Sequence, residues 1–468
     1  MRHDAHGYWI AEAGFADRPP TEPLDGDVST DVVVVGGGYS GMWAAWWIKA
    51  AEPEAEVILL EADRCGFGPS GRNGGFVNSM WFSLPTMRTV FTDAAALRVA
   101  RAAGESIAQI GRWCEEQEVD AWFTPGGYLQ ASTATHFDRT WEPIVDACEA
   151  VGAAEMVGAL DRDETAARCA SPLFRAAAFY PQAATVQPAR LAEGLRTRLI
   201  EAGVRIHEMS PVRALSERGG CVVAEAGRGT VSAEAAVLAA GGSLLRFRPL
   251  RRALTATSSH MVITEPVPDL VEELGWSGGE CITDSRAMIH YFRTTPDGRI
   301  AFGWGGGRIV PGARLGGRAD VDRPMAREVE SHLRRFFPQL VGRAVTHAWG
   351  GPIDVSPNHL PVIRQIPGLG ARTFAGFGYT GNGVGPSQMV GRSLASLALD
   401  RRDEHSSLAI VDPPAIRVPP EPFRYAGGTI IRRAILRKEL AEEEDRRVGP
   451  VTRMVSGIPE RMGIHVGR

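Results

Sequence analysis

Residues 31–76 read DVVVVGGGYSGMWAAWWIKAAEPEAEVILLEADRCGFGPSGRNGGF. The run 31–35 is short and β-branched, the pattern of a strand buried on both faces. Gly36, Gly38 and Gly41 follow as G-x-G-x-x-G, and 42–51 is an apolar helix. Residues 57–60 form a second apolar strand that ends on Glu61, 20 residues after Gly41. Each part has a mechanical reason. Gly36 permits the tight turn, Gly38 lets a pyrophosphate approach the backbone, and Gly41 lets helix and strand pack closely. Tyr39 and Ser40, within the motif, are counted as cofactor neighbours, and the free N–H groups of the helix N-terminus favour phosphate. Glu61, followed by Ala62, sits where a carboxylate accepts both hydroxyls of an adenosine ribose and disfavours a 2′-phosphate. The stretch therefore predicts a dinucleotide-binding α/β domain that does not take NADP.

The totals bound the rest. A chain of 468 residues is too long for one core, so two domains and an appendage are expected. Hydrophobic content of 44% and charge content of 23% are those of a globular protein. A net charge of −4 gives no field to attract nucleic acid or an anionic membrane, and neither is expected as a partner. The six cysteines (65, 114, 148, 169, 221 and 281) include no C-x-x-C pair, which argues against zinc or a disulfide framework, and no metal is assigned. With no apolar leader at the start and no long apolar run, a cytoplasmic protein is expected. The only lysines are Lys49 and Lys438.

The segment GFGPSGRNGGF follows the second strand directly, where a plain NAD-binding domain would begin its next helix. With YWIAEAG ahead of the first strand, it resembles the D-amino-acid oxidase-type family of FAD-dependent oxidoreductases, in its γ-glutamylputrescine oxidoreductase-like branch. The resemblance implies a Rossmann-like FAD-binding domain of the glutathione-reductase type. It further implies a discontinuous, mostly antiparallel substrate domain. In such proteins this loop lies against the flavin, making Ser70, Gly71, Arg72, Asn73, Gly74 and Gly75 cofactor neighbours.

The resemblance runs to about residue 400. The strand at Val212 would meet the adenine side, and the strand 236–239 would bring Ala240 and Gly241 close to the dinucleotide. The second signature is FAGFGYTGNGVGPSQMVGRSLASLAL. Here Gly378, Tyr379, Thr380, Gly381, Asn382 and Gly383 form a loop before a helix at 386–399. By resemblance that loop and helix N-terminus face the flavin C2 carbonyl. There, positive potential stabilises the charge of a reduced flavin. The expected division is 1–93, 180–250 and 345–400 for the FAD-binding domain, 94–179 and 251–344 for the substrate domain, and 401–468 for a helical extension. This extension, Pro-rich and then charged, reads as a solvated strap packed on the body, with an oligomer contact as the alternative.

A flavin accepts a hydride from the carbon beside a nitrogen, and the protein positions the substrate. A free alkylamine has a pKa near ~10, so the site must favour the neutral form by desolvation or nearby positive charge. No protein base is required. Tyr291 and Arg293 share one face of a predicted strand, 288–293, where the arginine could clamp an anionic group and the tyrosine hydrogen-bond beside it. His260, on the strand 259–265, and Arg308, after GWGGG, are further candidates for the site. By resemblance Trp349 and Gly350, in the strand 346–349 and just beyond it, lie near the ring.

Two departures matter. Sarcosine oxidases of the family attach FAD through a cysteine near Trp349 and Gly350, where this chain has none. Dimethylglycine-type relatives use a histidine where this chain has Arg72. FAD is therefore expected to be non-covalent. The lysine that sarcosine oxidases place beside the flavin for O2 also has no counterpart. The resulting expectation is oxidation of a primary or secondary amine to an imine, with O2 or an unknown acceptor reoxidising the flavin. Oxidation of an amino acid or N-methyl amino acid such as glycine or sarcosine is the alternative, and a non-catalytic flavin-binding protein a third reading. The sequence leaves oligomeric state open.

Overall fold

The structure, a computed structural model, describes residues 1–465. Its first core is an eight-stranded sheet. The strand Val28–Val35 runs at its centre, parallel to Val57–Leu60 on one side and to Gly229–Leu238 on the other. All four residues of Val57–Leu60 are buried, as a parallel sheet covered on both faces requires. Helix Tyr39–Ala51 packs on this sheet together with Pro188–Glu201 and Val384–Ala398. An antiparallel extension, Val212–Arg218 and Cys221–Ala226, completes one edge. Strands Val362–Gln365 and Thr373–Phe377 join through a parallel pairing of Thr373–Phe377 with Gly229–Leu238.

The second sheet has nine strands and is mostly antiparallel. Its centre is Thr255–Thr264, flanked by Val345–Val355 and Ile300–Trp304, with His290–Thr294 next. Tyr128–Ala131 and Ala177–Tyr180 extend it, so the stretch between the two glycine-rich halves contributes strands as well as the helix Asp93–Glu116. One boundary moves. Val345–Val355, counted by the sequence with the cofactor half, pairs along its length with Thr255–Thr264 in the second sheet. Its Ala348 and Trp349 side chains are buried there, in the clusters that hold Val262 and Met261. The first residues also dock on this strand, Arg2–His3 pairing in parallel with His347–Ala348.

The chain ends in helix Phe423–Glu443 and two short helices, Pro450–Ser456 and Ile458–Arg461. Phe423–Glu443 lies over the open side between the two sheets, with Ala434 and Ile435 buried and Glu439 bonded to the backbone of Met288. No described helix is long and apolar enough to cross a membrane.

Candidate active site

Between the two sheets lies a cavity of about 1000 Å³. That is the upper end of the ~300–1,000 Å³ usual for small-molecule and cofactor sites. One end is made of backbone. Gly36 has φ 113°, and a Cβ on it would stand 2.5 Å from the Ala239 carbonyl oxygen. A Cβ on Gly41 would stand 2.0 Å from the Gly36 oxygen, so the turn and the helix can meet only without side chains. The Glu61 carboxylate accepts from Gly37 N at 2.7 Å and from Asp63 N at 3.0 Å. Burial pushes its pKa up, and these N–H groups oppose that shift. A carboxylate offers about four acceptor positions, so these N–H groups do not use them all. Val212, Ala240 and Gly241 line the same end.

The Ser-Gly-Arg-Asn-Gly-Gly loop is braced internally and from behind. Ser70 Oγ accepts from Tyr39 N at 2.9 Å, tying the loop to the first helix. Asn73 donates to the Ser70 carbonyl at 2.7 Å and accepts from Gly75 N at 2.7 Å. Arg72 pairs with Asp320 at 2.8 Å. Two indoles hold the loop's outer side, Trp9 donating to the Asn73 carbonyl at 2.9 Å and Trp349 to the Arg72 carbonyl at 2.8 Å. The second glycine-rich loop closes on the first through Ser40 Oγ and the Tyr379 hydroxyl, 2.5 Å apart. Helix Val384–Ala398 starts at this loop, and Gly383 and Val384 face the cavity. Two helix N-termini thus bring partial positive charge to one cavity.

Of the residues read as cofactor neighbours, Gly36, Gly38, Tyr39, Ser40, Glu61, Ala62, Ser70, Arg72, Asn73 and Gly74 line the cavity. So do Trp349, Gly350, Tyr379, Thr380, Gly381, Asn382 and Gly383. Gly41, Gly71, Gly75 and Gly378 stand behind the wall, where neighbouring chain leaves no room for a side chain. The sequence reading passed over Asp354. It lines the cavity and accepts from Gly378 N at 2.5 Å, and burial pushes its pKa up to about 6. Its signal was the acid in GGPIDVSPNHLP, at the end of a strand that faces the cavity.

The candidates for the substrate side separate. Tyr291 lines the cavity and donates to Ser259 Oγ at 2.8 Å, while Ser259 donates to the Trp304 carbonyl at 2.9 Å. Burial pushes the Tyr291 pKa up to about 12, so it stays a neutral donor. Arg293 does not reach the cavity. It is 1% exposed, over the Trp9 ring at 5.1 Å, with Nε and Nη2 unpartnered among the described residues. Burial lowers its pKa to about 10. It shares the strand face of Tyr291, but the Gly75 turn and Trp9 cover it. His260 faces away from the cavity, opposite in parity to Ser259 and Met261, and its Nε2 lies 3.2 Å from Ser258 Oγ. Desolvation lowers its pKa to about 4, so it is neutral at pH 7. Arg308 turns out to Asp322, Nε to carboxylate 2.6 Å, and is not on the cavity wall. His290 lies on the sheet's other face, between Asp284 at 2.6 Å and His332 at 2.9 Å. Neither lysine approaches the site: Lys49 bonds the Ala55 carbonyl at 3.0 Å, and Lys438 pairs with Glu442 at 3.6 Å.

Comparison with known proteins follows the same outline. Residues 31–397 match the family model described as FAD dependent oxidoreductase. The chain is 28% identical over 446 residues to a probable oxidoreductase OrdL of Rhizobium meliloti (strain 1021), covering 92% of this chain and 95% of that one. It is also 28% identical over 444 residues to the gamma-glutamylputrescine oxidoreductase of Escherichia coli (strain K12), covering 91% and 97%. The crystal structure of glycine oxidase from Geobacillus kaustophilus superposes with a TM-score of 0.65 at 19% identity, over 80% of this chain and 96% of that one. That likeness is one of fold.

Proposed function

Since the chain belongs to the family of FAD-dependent oxidoreductases, we propose that it oxidises a primary or secondary amine to the imine. Water then hydrolyses the imine to an aldehyde or keto product, and O2 is the final acceptor. Bound non-covalently, FAD supplies acceptance of the hydride that leaves the carbon beside nitrogen. The chain's own residues do the rest. Glu61 and the first glycine turn would hold the adenosine and pyrophosphate. The N-terminus of Val384–Ala398 would stabilise charge on the reduced cofactor. Tyr291, oriented by Ser259, orients the substrate. The apolar cavity strips water from the amine and favours its neutral form, whose lone pair develops into the C=N bond as the nitrogen proton leaves.

The observation that carries this reading is a single cavity bounded by both glycine-rich loops and the Tyr291–Ser259 pair. The name of the gamma-glutamylputrescine oxidoreductase relative supports an amine as donor. An α-amino acid is less favoured, because Arg293, its proposed carboxylate clamp, is walled off from the cavity. The test is an anaerobic screen of amines and amino acids against the yellow holoenzyme, followed by admission of air. Bleaching by amines and recovery of the oxidised spectrum with hydrogen peroxide is the expected result. Bleaching by amino acids alone, or by nothing, refutes it, and bleaching without recovery in air assigns a different electron acceptor.

A further inference from the structure

Helix Phe423–Glu443 lies beyond the span matched by the family model, yet Gly427, Gly428, Ile431, Arg432 and Ile435 all line the cavity. Their spacing of three and four residues makes them one face of the helix. The face contains two adjacent glycines, the poorest helix formers after proline. What they provide is space: a Cβ on Gly427 would meet nothing within 4 Å, and one on Gly428 would touch only the Ile309 side chain, at 3.3 Å. Phe423 is 71% exposed although it lines the same cavity, an apolar surface left uncovered by protein.

Arg432 stands in this face. Its guanidinium is fixed by the carbonyls of Gly306, 2.9 Å from Nε, and of Gly307. The helix's ion pairs use Arg424, Lys438, Glu442 and Glu443. Among the described residues Arg432 is in none, and its Nη1 has no acceptor. Burial, with Arg308 and Arg433 nearby, lowers its pKa, and Glu328 opposes this from a distance. A half-buried cation with no carboxylate in ion-pair range favours an anionic ligand. The carbonyls that hold it are three and four residues past Gly303, which faces Tyr291 across the paired strands. The strand ends at Trp304 and the chain bends at Gly305, so this separation has an upper bound of about 10 Å, which leaves room for a linker longer than the one-bond separation of amine carbon and carboxylate in an α-amino acid.

We infer that this helix forms the distal wall of the substrate site, and that Arg432 anchors a carboxylate joined to the reacting amine by an aliphatic chain lying along Gly427 and Ile431. The inference rests on the amine-oxidation reading and names its substrate class. The test uses FAD-loaded enzyme with 6-aminohexanoate and hexylamine, followed by anaerobic flavin bleaching. Arg432→Gln is expected to raise the KM for 6-aminohexanoate at least tenfold and to leave that for hexylamine within twofold. Gly427→Leu, which improves helix propensity, should raise the KM for both amines at least tenfold with unchanged FAD content and melting temperature. Equal effects of Arg432→Gln on the two amines, no effect, or loss of FAD from Gly427→Leu overturns the assignment. If neither amine bleaches the flavin, the oxidation reading fails on its own. Binding of hexanoate, read from the flavin spectrum, then still decides on Arg432. A tenfold weaker hexanoate Kd in Arg432→Gln upholds the anchor, whereas equal affinity, or no binding to the wild type, overturns it.

Discussion

The two walls of the cavity are built from different materials. The nucleotide wall is backbone: turns at Gly36 and Gly66, two helix N-termini and one carboxylate, with glycines at every close approach. The opposite wall is side chain: Tyr291, Ser259 and Met261 on strands, and a face of the terminal helix. A backbone wall fixes its residue types, because only glycine fits where chain meets chain. A side-chain wall fixes little beyond alternation, because what covers each position is decided by distant segments. On the proposed function, the first wall would serve a constant ligand and the second could change with the substrate.

The sharpest way to break this contrast is to add one carbon branch to the nucleotide wall. Gly41→Val, with its Cβ 2.0 Å from a carbonyl oxygen, should abolish FAD retention and destabilise the fold by about 3 kcal/mol. Flavin absorbance per mole of protein and thermal melting check it, and a yellow, stable variant would show that side chains are tolerated there.

Behind the same wall stands a side-chain support. Glu208, fully buried, accepts from Arg18 and Arg196 and from the N–H groups of Thr21 and Cys65 at the base of the flavin loop. These partners hold its pKa down to about 2, against an ordinary 4.5. A lowered carboxyl stabilises the fold fully above the unfolded value. That contribution, about 3 kcal/mol, is lost as pH falls from about 4.5 towards 2. Glu208→Gln should lose a comparable amount at pH 7 and flatten the acid limb of a denaturation profile measured against pH.

On the substrate wall, Tyr291→Phe removes one hydroxyl that touches only Ser259. It should keep FAD and melting temperature and lower kcat/KM about tenfold, the equivalent of one hydrogen bond of ~1.4 kcal/mol. Steady-state kinetics on the holoenzyme decide, and loss of FAD instead would move Tyr291 to the nucleotide side. The smallest effect is expected at the junction of the walls. Asp354→Asn keeps an acceptor for Gly378 N and should stay within about 1 kcal/mol of wild type near pH 4, where the carboxyl is still protonated. A carboxyl raised to about 6 binds more protons folded than unfolded, so its contribution falls as pH rises from about 4 to 6. The variant should lack that slope in melting curves across the window.

The same contrast explains what could be read from residues alone. The glycine spacings, Glu61 and the flanking strands were legible because the turn they make admits few alternatives. The family resemblance carried the second loop. Arg293 was not legible: its strand face was right, but Trp9, from near the start of the chain, covers it. His260 was displaced by one position of strand parity, and Arg308 was captured by Asp322, 14 residues on. The terminal helix hid its inner face because two glycines and an arginine interrupt the apolar positions Ile431 and Ile435 there, while a charged second half suggested solvent.

The Ser-Gly-Arg-Asn-Gly-Gly loop leans on Trp9 and Trp349, and the second of these lies in the strand onto which the first residues dock. On a ribosome, a nascent chain carrying the complete first glycine motif still lacks one of those two supports until residue 349 has emerged. Stable capture of cofactor is thereby deferred until most of the polypeptide has been made.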